Sequence, residues 1–221
     1  MIRNIYLSKK DKIVYTFALL SLGVLFCLLM LDFDKKAILW ANSLHKSSSS
    51  VHMLLEGIDP AINFISNGTI LLLIAIVFFV TGKYTKSNLQ LELGRILIGG
   101  FIVTGITVQI LKYLAGRARP KVSFDTLFYG PSVGDSYHSF PSGHTAEAFC
   151  FAFILAKYFP RYRIYFYLLA SVIGFERMED LKHFPSDVIA GAVIGLVLGR
   201  LLLPKIENSI YHRMSLPDVK S

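Results

Sequence analysis

Six apolar runs divide the 221-residue chain, and they constrain its fold more than any other feature. A helix needs about 20 mostly apolar residues to cross the hydrocarbon core of a bilayer, with roughly 17 to 25 observed. The predicted spans are Ile13–Leu31, Ile65–Thr81, Ile96–Leu111, Thr145–Pro160, Ile164–Phe175 and Val188–Leu203. The last three are short and are expected to extend into flanking residues. The chain is therefore expected to be all-α, a six-transmembrane-helix bundle that forms one domain over residues 1–221.

The first run is interpreted as an uncleaved span rather than as a signal peptide. It follows a cluster of lysines but is long for the apolar core of a signal peptide. The charged segment 32–36 then follows it without a small-residue cleavage site. Between the first two spans, Lys36–His45 and Val51–Ile58 are predicted to form short interfacial helices.

The charge of the chain fits a membrane protein better than a nucleic-acid-binding protein. The formal net charge is +8, but only 17% of the residues are charged, against about a quarter in a typical soluble domain. Of the 23 lysines and arginines, fourteen fall on the side of the N-terminus and nine on the other side. This bias predicts that both termini lie in the cytoplasm. No nucleic-acid partner is expected.

The two cysteines, Cys27 and Cys150, lie inside apolar runs and lack the spacing of metal ligands. They are expected to pack as small apolar residues. No metal or other cofactor is predicted.

Three polar segments stand out at the ends of the predicted spans. The first is residues 112–120 after the third span, the second is residues 139–144 before the fourth, and the third is residues 176–187 between the fifth and sixth. The loops after the third and the fifth span open on the same side of a membrane. The span count therefore predicts that all three segments meet at one membrane face.

The residue types in these segments suit the binding of a phosphate group. Lys112, Arg119 and Arg177 supply three cationic donors, and the planar guanidinium of arginine matches paired phosphate oxygens. Residues 142–144 open a helix, where free backbone N–H groups and the helix dipole favour an anion.

Two histidines add the possibility of catalysis. His144 and His183 could supply a nucleophile and a general acid, and Asp187 lies close enough in sequence to His183 to hold one of its ring nitrogens. Cations, a helix N-terminus and two histidines that converge describe a phosphoryl-transfer site.

Each of these residues also has a purely structural interpretation. The alternatives are charged helix-end anchors for Lys112, Arg117 and Arg119, helix caps for Ser142 and Asp187, and interfacial hydrogen-bonding residues for His144 and His183. Glu147 could be a buried partner of the site or a helix-packing residue. The joint occurrence of the set at one predicted face favours the functional interpretation.

The three segments resemble the signature of the type-2 phosphatidic acid phosphatase superfamily, which includes lipid phosphatases and vanadium haloperoxidases. The segments read Lys, six residues and Arg-Pro at 112–120; Pro-Ser-Gly-His at 141–144; and Arg, five residues, His, three residues and Asp at 177–187. The six-span layout agrees with the membrane branch of that family. One position departs from the pattern, because the family usually has serine where this chain has Glu176. A carboxylate there could pair with Arg177 or weaken the binding of a highly charged head group.

The resemblance implies a role for each matching residue. His183 would attack phosphorus and become phosphohistidine, His144 would protonate the leaving oxygen and then activate water, and Asp187 would orient His183. The residues that would bind phosphate are Lys112, Arg119, Ser142, Gly143 and Arg177.

The resulting prediction is a metal-independent phosphatase that hydrolyses a lipid phosphate or pyrophosphate. Candidate substrates are undecaprenyl diphosphate, lipid A phosphate, phosphatidylglycerophosphate and phosphatidic acid. Alternatives are a phosphotransferase that uses an alcohol or lipid acceptor, and a non-catalytic membrane relative that binds an anion or a lipid. The protein is expected in the bacterial inner membrane, in contact with membrane lipids, with its site on the periplasmic or extracellular side.

Overall fold

The structure, a computed structural model, describes residues 32–43, 57, 60, 64 and 68–203 of the chain. Within these residues the fold is all-helical, without a β-strand and with a single isolated bridge between Arg117 and Phe128. The long helices are α1 (Gly68–Tyr84), α2 (Asn88–Ala115), α3 (Gly143–Tyr158), α4 (Arg163–Glu179) and α5 (Pro185–Leu202). Residues 32–43 form a further helical segment. The predicted all-α class is confirmed for this part of the chain.

The predicted spans from the second to the sixth each coincide with one of the helices α1 to α5. Two of these, α2 and α5, are long and apolar enough to cross a membrane, whereas α1 is apolar with 17 residues. The predicted first span and most of Val51–Ile58 lie outside the described residues, and the helical segment 32–43 overlaps the predicted Lys36–His45. A bundle of six transmembrane helices therefore stays a prediction.

Large apolar side chains cover the outer faces of the helices. More than a third of the surface of each is exposed, a pattern that suits a lipid surface better than water. Examples on four helices are Val77, Val80, Ile102, Ile106, Ile110, Leu168, Val172, Val193 and Val197.

Helix α3 lies at the centre of the packing and contacts α2, α4 and α5, while α1 packs on α2. Its residues Cys150, Phe151 and Ile154 form one buried cluster with α1 and α2, and Ala148 and Ala152 form another with α4. Cys150 is fully buried in the first cluster, as expected for a packing residue.

Glycines allow α5 to approach α3 closely. A Cβ built at Gly191 would lie 2.5 Å from the Ser142 carbonyl oxygen, and one built at Gly195 would lie 2.2 Å from the Ala146 carbonyl oxygen. Close helix approach through small residues is common where helices pack in lipid. Here it brings the N-terminal ends of both helices, which carry two of the three polar segments, into contact.

Candidate active site

The first polar segment is delivered by the end of α2. Gly116 terminates the helix in the left-handed region, with φ 55°, and its N–H donates to the Lys112 carbonyl. A Cβ at Gly116 would lie 1.6 Å from the Gly130 carbonyl oxygen, so both the conformation and the available space require glycine. Lys112 therefore remains on the last turn of α2, while Arg117 and Arg119 lie in the loop that follows.

Of the two predicted phosphate ligands of this segment, Lys112 lies beside the start of α3, and Arg119 lies in the loop that contacts residues 135 and 136. A Cβ built at Gly143 would lie 3.8 Å from the Lys112 ammonium nitrogen. Arg119 pairs through Nη2 with the exposed Asp135 at 2.8 Å. Within the described residues its Nε is buried without a hydrogen-bond partner, which leaves a donor that an anion can satisfy.

The second segment forms the N-terminus of α3. Ser142 is the N-cap residue, as predicted, but its buried hydroxyl lies 2.8 Å from Thr145 Oγ1 and does not cap the helix backbone. The Ser142 N–H donates to the Asp187 carbonyl at 3.0 Å, which fixes the start of α3 against the start of α5. The first amides of α3 have no acceptor within the helix.

In the third segment, Glu176 pairs with the neighbouring Arg177. Its carboxylate accepts hydrogen bonds from Nε and Nη2 of Arg177, and both side chains are buried. The Arg177 carbonyl accepts from the backbone N–H groups of Lys182 and His183, which folds the following loop back toward the helix. Of the two possibilities stated for Glu176, pairing with Arg177 is the one observed.

His183 has a defined tautomer. Its Nδ1 lies 2.6 Å from the Ser139 carbonyl oxygen, which can only accept, so Nδ1 carries the proton and the neutral ring has its lone pair on Nε2. The ring is almost fully buried, and burial lowers the pKa of His183 below its ordinary value of 6.5 even though the Asp187 carboxylate acts to raise it. His183 is therefore a neutral base with its Nε2 lone pair available.

The structure gives Asp187 a different set of contacts from the predicted one. Its Oδ2 is 3.8 Å from His183 Nδ1, beyond hydrogen-bond range, and accepts instead from Ser139 Oγ at 2.6 Å and from the Phe184 N–H at 2.8 Å. Its Oδ1 accepts from Arg117 Nη1 at 2.5 Å. Asp187 thus caps α5, as the structural alternative proposed, and it reaches His183 through Ser139.

The structure brings the three predicted segments together. Beyond the contacts above, Lys121 of the first loop pairs with Asp180 of the third at 2.8 Å, and its N–H donates to the Leu181 carbonyl. The half-buried His144 lies within electrostatic range of both Arg177 and His183.

Glu147 lies one turn further into α3 than His144. A Cβ built at Gly68 would lie 2.9 Å from its carboxylate, which places Glu147 at the start of α1, and its charge also acts on Lys112. Glu147 therefore packs against the start of α1 and also lies within electrostatic range of Lys112.

Two contributors were missed in the sequence. Ser139 belongs to the second segment, but no role was predicted for it. Its hydroxyl donates to Asp187, and its carbonyl accepts from His183. Asp34 is fully buried and accepts from Arg117 and Ser186. The available signal for Asp34 was topological, because the residues after the first predicted span fall on the same side as the three segments.

Comparison with known proteins identifies the family. The model of the PAP2 superfamily matches residues 93–211, more than half of the chain. This range contains the three polar segments, and the chain belongs to this superfamily.

Individual relatives agree with that assignment. The lipid A 1-phosphatase of Rhizobium johnstonii is 38% identical over 106 residues, which cover 47% of this chain and 43% of that protein, so this chain spans less than half of its length. The crystal structure of Aquifex aeolicus LpxE is similar to this structure, with 25% sequence identity and a TM-score of 0.55. The matched region covers 79% of this chain and 94% of that one. A transmembrane PAP2 type phosphatidylglycerolphosphate phosphatase from Bacillus subtilis shares the fold at 21% identity and a TM-score of 0.54, covering 91% and 98%. The fold is therefore that of bacterial membrane-integral members of the family.

Proposed function

We propose that this protein is a membrane phosphatase that hydrolyses a lipid phosphate through a phosphohistidine at His183, without a metal. The observation that carries the proposal is the fixed tautomer of His183. Its Nδ1 proton is held by the Ser139 carbonyl at 2.6 Å, so the Nε2 lone pair is available for attack on phosphorus.

The first step transfers the phosphoryl group to the protein. His183 Nε2 forms a bond to phosphorus while the bond from phosphorus to the lipid oxygen breaks. Protonated His144 gives its proton to that departing oxygen, which leaves as an alcohol. Lys112, Arg119 and Arg177, together with the first amides of α3, stabilise the charge on the phosphoryl oxygens.

The second step restores the enzyme. A water oxygen attacks phosphorus, His144 takes a proton from that water, and the nitrogen–phosphorus bond breaks to release inorganic phosphate and neutral His183. The phosphorylated ring keeps its Nδ1 proton and is therefore cationic until the nitrogen–phosphorus bond breaks, and the Asp187 carboxylate at 3.8 Å stabilises it. Cationic side chains supply the positive charge that a metal supplies in other phosphatases, and this supports metal independence.

Among lipid phosphates, we favour the 1-phosphate of lipid A, because two relatives from Rhizobium named for that activity are 38% and 37% identical to this chain over 106 residues. The pairing of Glu176 with Arg177 supports this choice over a diphosphate, since it lowers the net positive charge facing the substrate.

The test is phosphate release by purified full-length protein in detergent from a panel of lipid phosphates, with His183→Ala and His138→Ala as a matched pair. The hydrogen bond of His138 is to the Ser132 carbonyl at 2.8 Å and not to a proposed catalytic residue, so its variant is expected to stay active. Turnover is expected for the unsubstituted protein and not for His183→Ala. Normal turnover by His183→Ala would overturn the nucleophile assignment.

The proposal also places the site outside the cytoplasm, with both termini inside. Val133, in the loop of the first two segments, is 88% exposed, and Tyr84, at the far end of α1, is 90% exposed. In a chain lacking Cys27 and Cys150, Val133→Cys is expected to react with a membrane-impermeant thiol reagent in intact cells, whereas Tyr84→Cys reacts only after lysis. The reverse pattern would invert the topology.

A further inference from the structure

A buried ion network extends behind the site to a part of the chain outside the family match. Asp34 belongs to the helical segment 32–43, is fully buried, and accepts from Arg117 Nη2 at 2.8 Å. The Ser186 hydroxyl donates to that same oxygen, Oδ2, and the Ser186 N–H donates to Oδ1 at 2.8 Å. Asp34 is thus connected to the loop after α2 and to the first turn of α5.

Arg117 lies between two buried carboxylates. Its Nη2 faces Asp34, and its Nη1 donates to Asp187 Oδ1 at 2.5 Å and to Ser186 Oγ at 2.7 Å. The rings of Phe128 and Phe184 lie 5.0 Å and 4.2 Å from the guanidinium carbon. Ion pairs therefore fix the guanidinium at its two terminal nitrogens, and aromatic rings lie against its faces. It cannot rotate without losing an ion pair.

Asp187 depends on Arg117 for its position. Its Oδ1 bonds Arg117, while its Oδ2 bonds the Ser139 hydroxyl and the Phe184 N–H, so Arg117 is the partner that fixes the Oδ1 end of the carboxylate. Ser139 in turn holds His183 by its carbonyl, and its own N–H donates to the Arg117 carbonyl at 3.0 Å. Contacts therefore lead without interruption from Asp34 to the ring of His183.

We propose that Asp34 is a positioning residue for the reaction, acting through Arg117 and Asp187 on the orientation of the His183 ring. The inference rests on the proposed nucleophilic role of His183. Asp34 and Arg117 contact neither the phosphate-binding side chains nor the reacting atoms, so their removal is expected to reduce turnover and leave substrate binding unchanged.

The chain offers a matched control for this test. Asp32 lies two residues earlier, its side chain is 67% exposed, and it pairs only with the exposed Lys36 at 2.6 Å among the contacts of that segment. Asp34→Ala is expected to lower kcat by about 10²-fold, the effect of misplacing a catalytic group by about 1 Å, with KM unchanged. Asp34→Asn keeps one acceptor oxygen, for Arg117 Nη2 and the Ser186 hydroxyl, but its amide nitrogen cannot accept from the Ser186 N–H. It is expected to retain more of kcat than Asp34→Ala, while Asp32→Ala matches the unsubstituted protein.

If Asp34→Ala yields too little folded protein, Arg117→Lys tests the same contacts, because an ammonium keeps the charge but cannot bridge both carboxylates in one plane. It is expected to lower kcat in the same way. A purely structural role would instead reduce the yield of folded protein while the remaining protein keeps its kcat.

A spectroscopic measurement separates this inference from the proposed function. In imidazole nitrogen NMR spectra of histidine-labelled protein, the signals that vanish in His183→Ala identify His183. They are expected to show one protonated Nδ1 in the unsubstituted protein and in Asp34→Asn, and a mixture of tautomers in Asp34→Ala. If the protein has no phosphatase activity but Asp34→Ala still changes the His183 signals, the proposed function is refuted and the contact from Asp34 to His183 is supported. Unchanged kcat and unchanged signals in Asp34→Ala would overturn the inference.

Discussion

Replacing Gly191 by alanine tests whether the closeness of α3 and α5 is needed for catalysis. The added methyl group would lie 2.5 Å from the Ser142 carbonyl oxygen, whereas ordinary contact begins at 3.4 Å. The neighbouring atom belongs to the backbone and cannot rotate away. The two helix ends must therefore separate by roughly 1 Å, and overpacking of this kind typically costs about 1–3 kcal/mol of stability.

The displacement would fall on the reacting groups themselves. Ser142 precedes His144 by two residues, and the start of α5 carries Asp187, so a shift between them changes the distance between His144 and His183, the two histidines proposed to be catalytic. A misplacement of about 1 Å can lower turnover by about 10²-fold. We expect Gly191→Ala to lower kcat by about 10- to 10²-fold.

Two other glycines provide graded controls. On the same helix, a Cβ at Gly199 would lie 3.2 Å from Phe153 Cβ and the Cys150 carbonyl oxygen, so its neighbours need to move by only a few tenths of an ångström. On α2, a Cβ at Gly105 has no neighbour within 4 Å, and alanine there gains helix propensity. Gly199→Ala is expected to stay within about threefold of normal kcat and Gly105→Ala to match it.

The assay is phosphate release under saturating substrate, with thermal unfolding measured on the same detergent-solubilised samples. Folded Gly191→Ala protein with normal kcat would refute the argument that the helix contact sets the geometry of the site. An equal loss in Gly105→Ala would show that the assay reports a general effect of glycine replacement.

Three further predictions concern the chemistry. Glu176→Ser removes the carboxylate paired with Arg177 and is expected to tighten competitive inhibition by inorganic phosphate by about tenfold, equivalent to about 1.4 kcal/mol. An unchanged inhibition constant would mean that the ion pair does not compete with phosphate. Burial lowers the pKa of His183 below 6.5, so the proposed nucleophile becomes protonated only below that pH. The rate of the phosphoenzyme burst from an aryl phosphate is therefore expected to fall only below pH 6.5. A loss of rate centred above pH 6.5 would contradict this. His144→Ala is expected to slow phosphorylation of the protein by an alkyl ester by about 10²–10⁴-fold, because an alkoxide leaves poorly without an acid. The slowing is expected to be much smaller for an aryl phosphate. Rapid-quench kinetics measures both rates, and equal slowing would contradict the prediction.

The helices were predictable where apolar runs alone define them, and their ends were not. Helix α2 begins at Asn88 rather than at Ile96, because its first two turns contain Glu92 and Arg95 and so lack the apolar signal. Helix α4 likewise continues past Phe175 to Glu179, through charged residues that are buried in the site.

Within the candidate site, the side chains whose chemistry is local in sequence could be proposed from the sequence, and those defined by tertiary contact could not. Lys112, Arg119 and His183 stand at recognisable spacings. The carbonyl of Ser139 has no sequence signature, because every residue has one, and only the folded structure shows which one faces His183. Asp34 depends on packing between distant segments, which spacing cannot encode.

The hydrogen bond between Asp34 and Ser186 joins residues 152 positions apart, and this distance has a consequence for biosynthesis. A ribosome delivers Asp34 to the membrane long before it delivers α5. Until α5 is inserted, Arg117 lacks its ion pair with Asp187, and Asp34 lacks its hydrogen bonds to Ser186. The contacts that reach the His183 ring through Asp187 and Ser139 can therefore form only once α5 enters the membrane, and on the proposed role of His183 activity begins at that step.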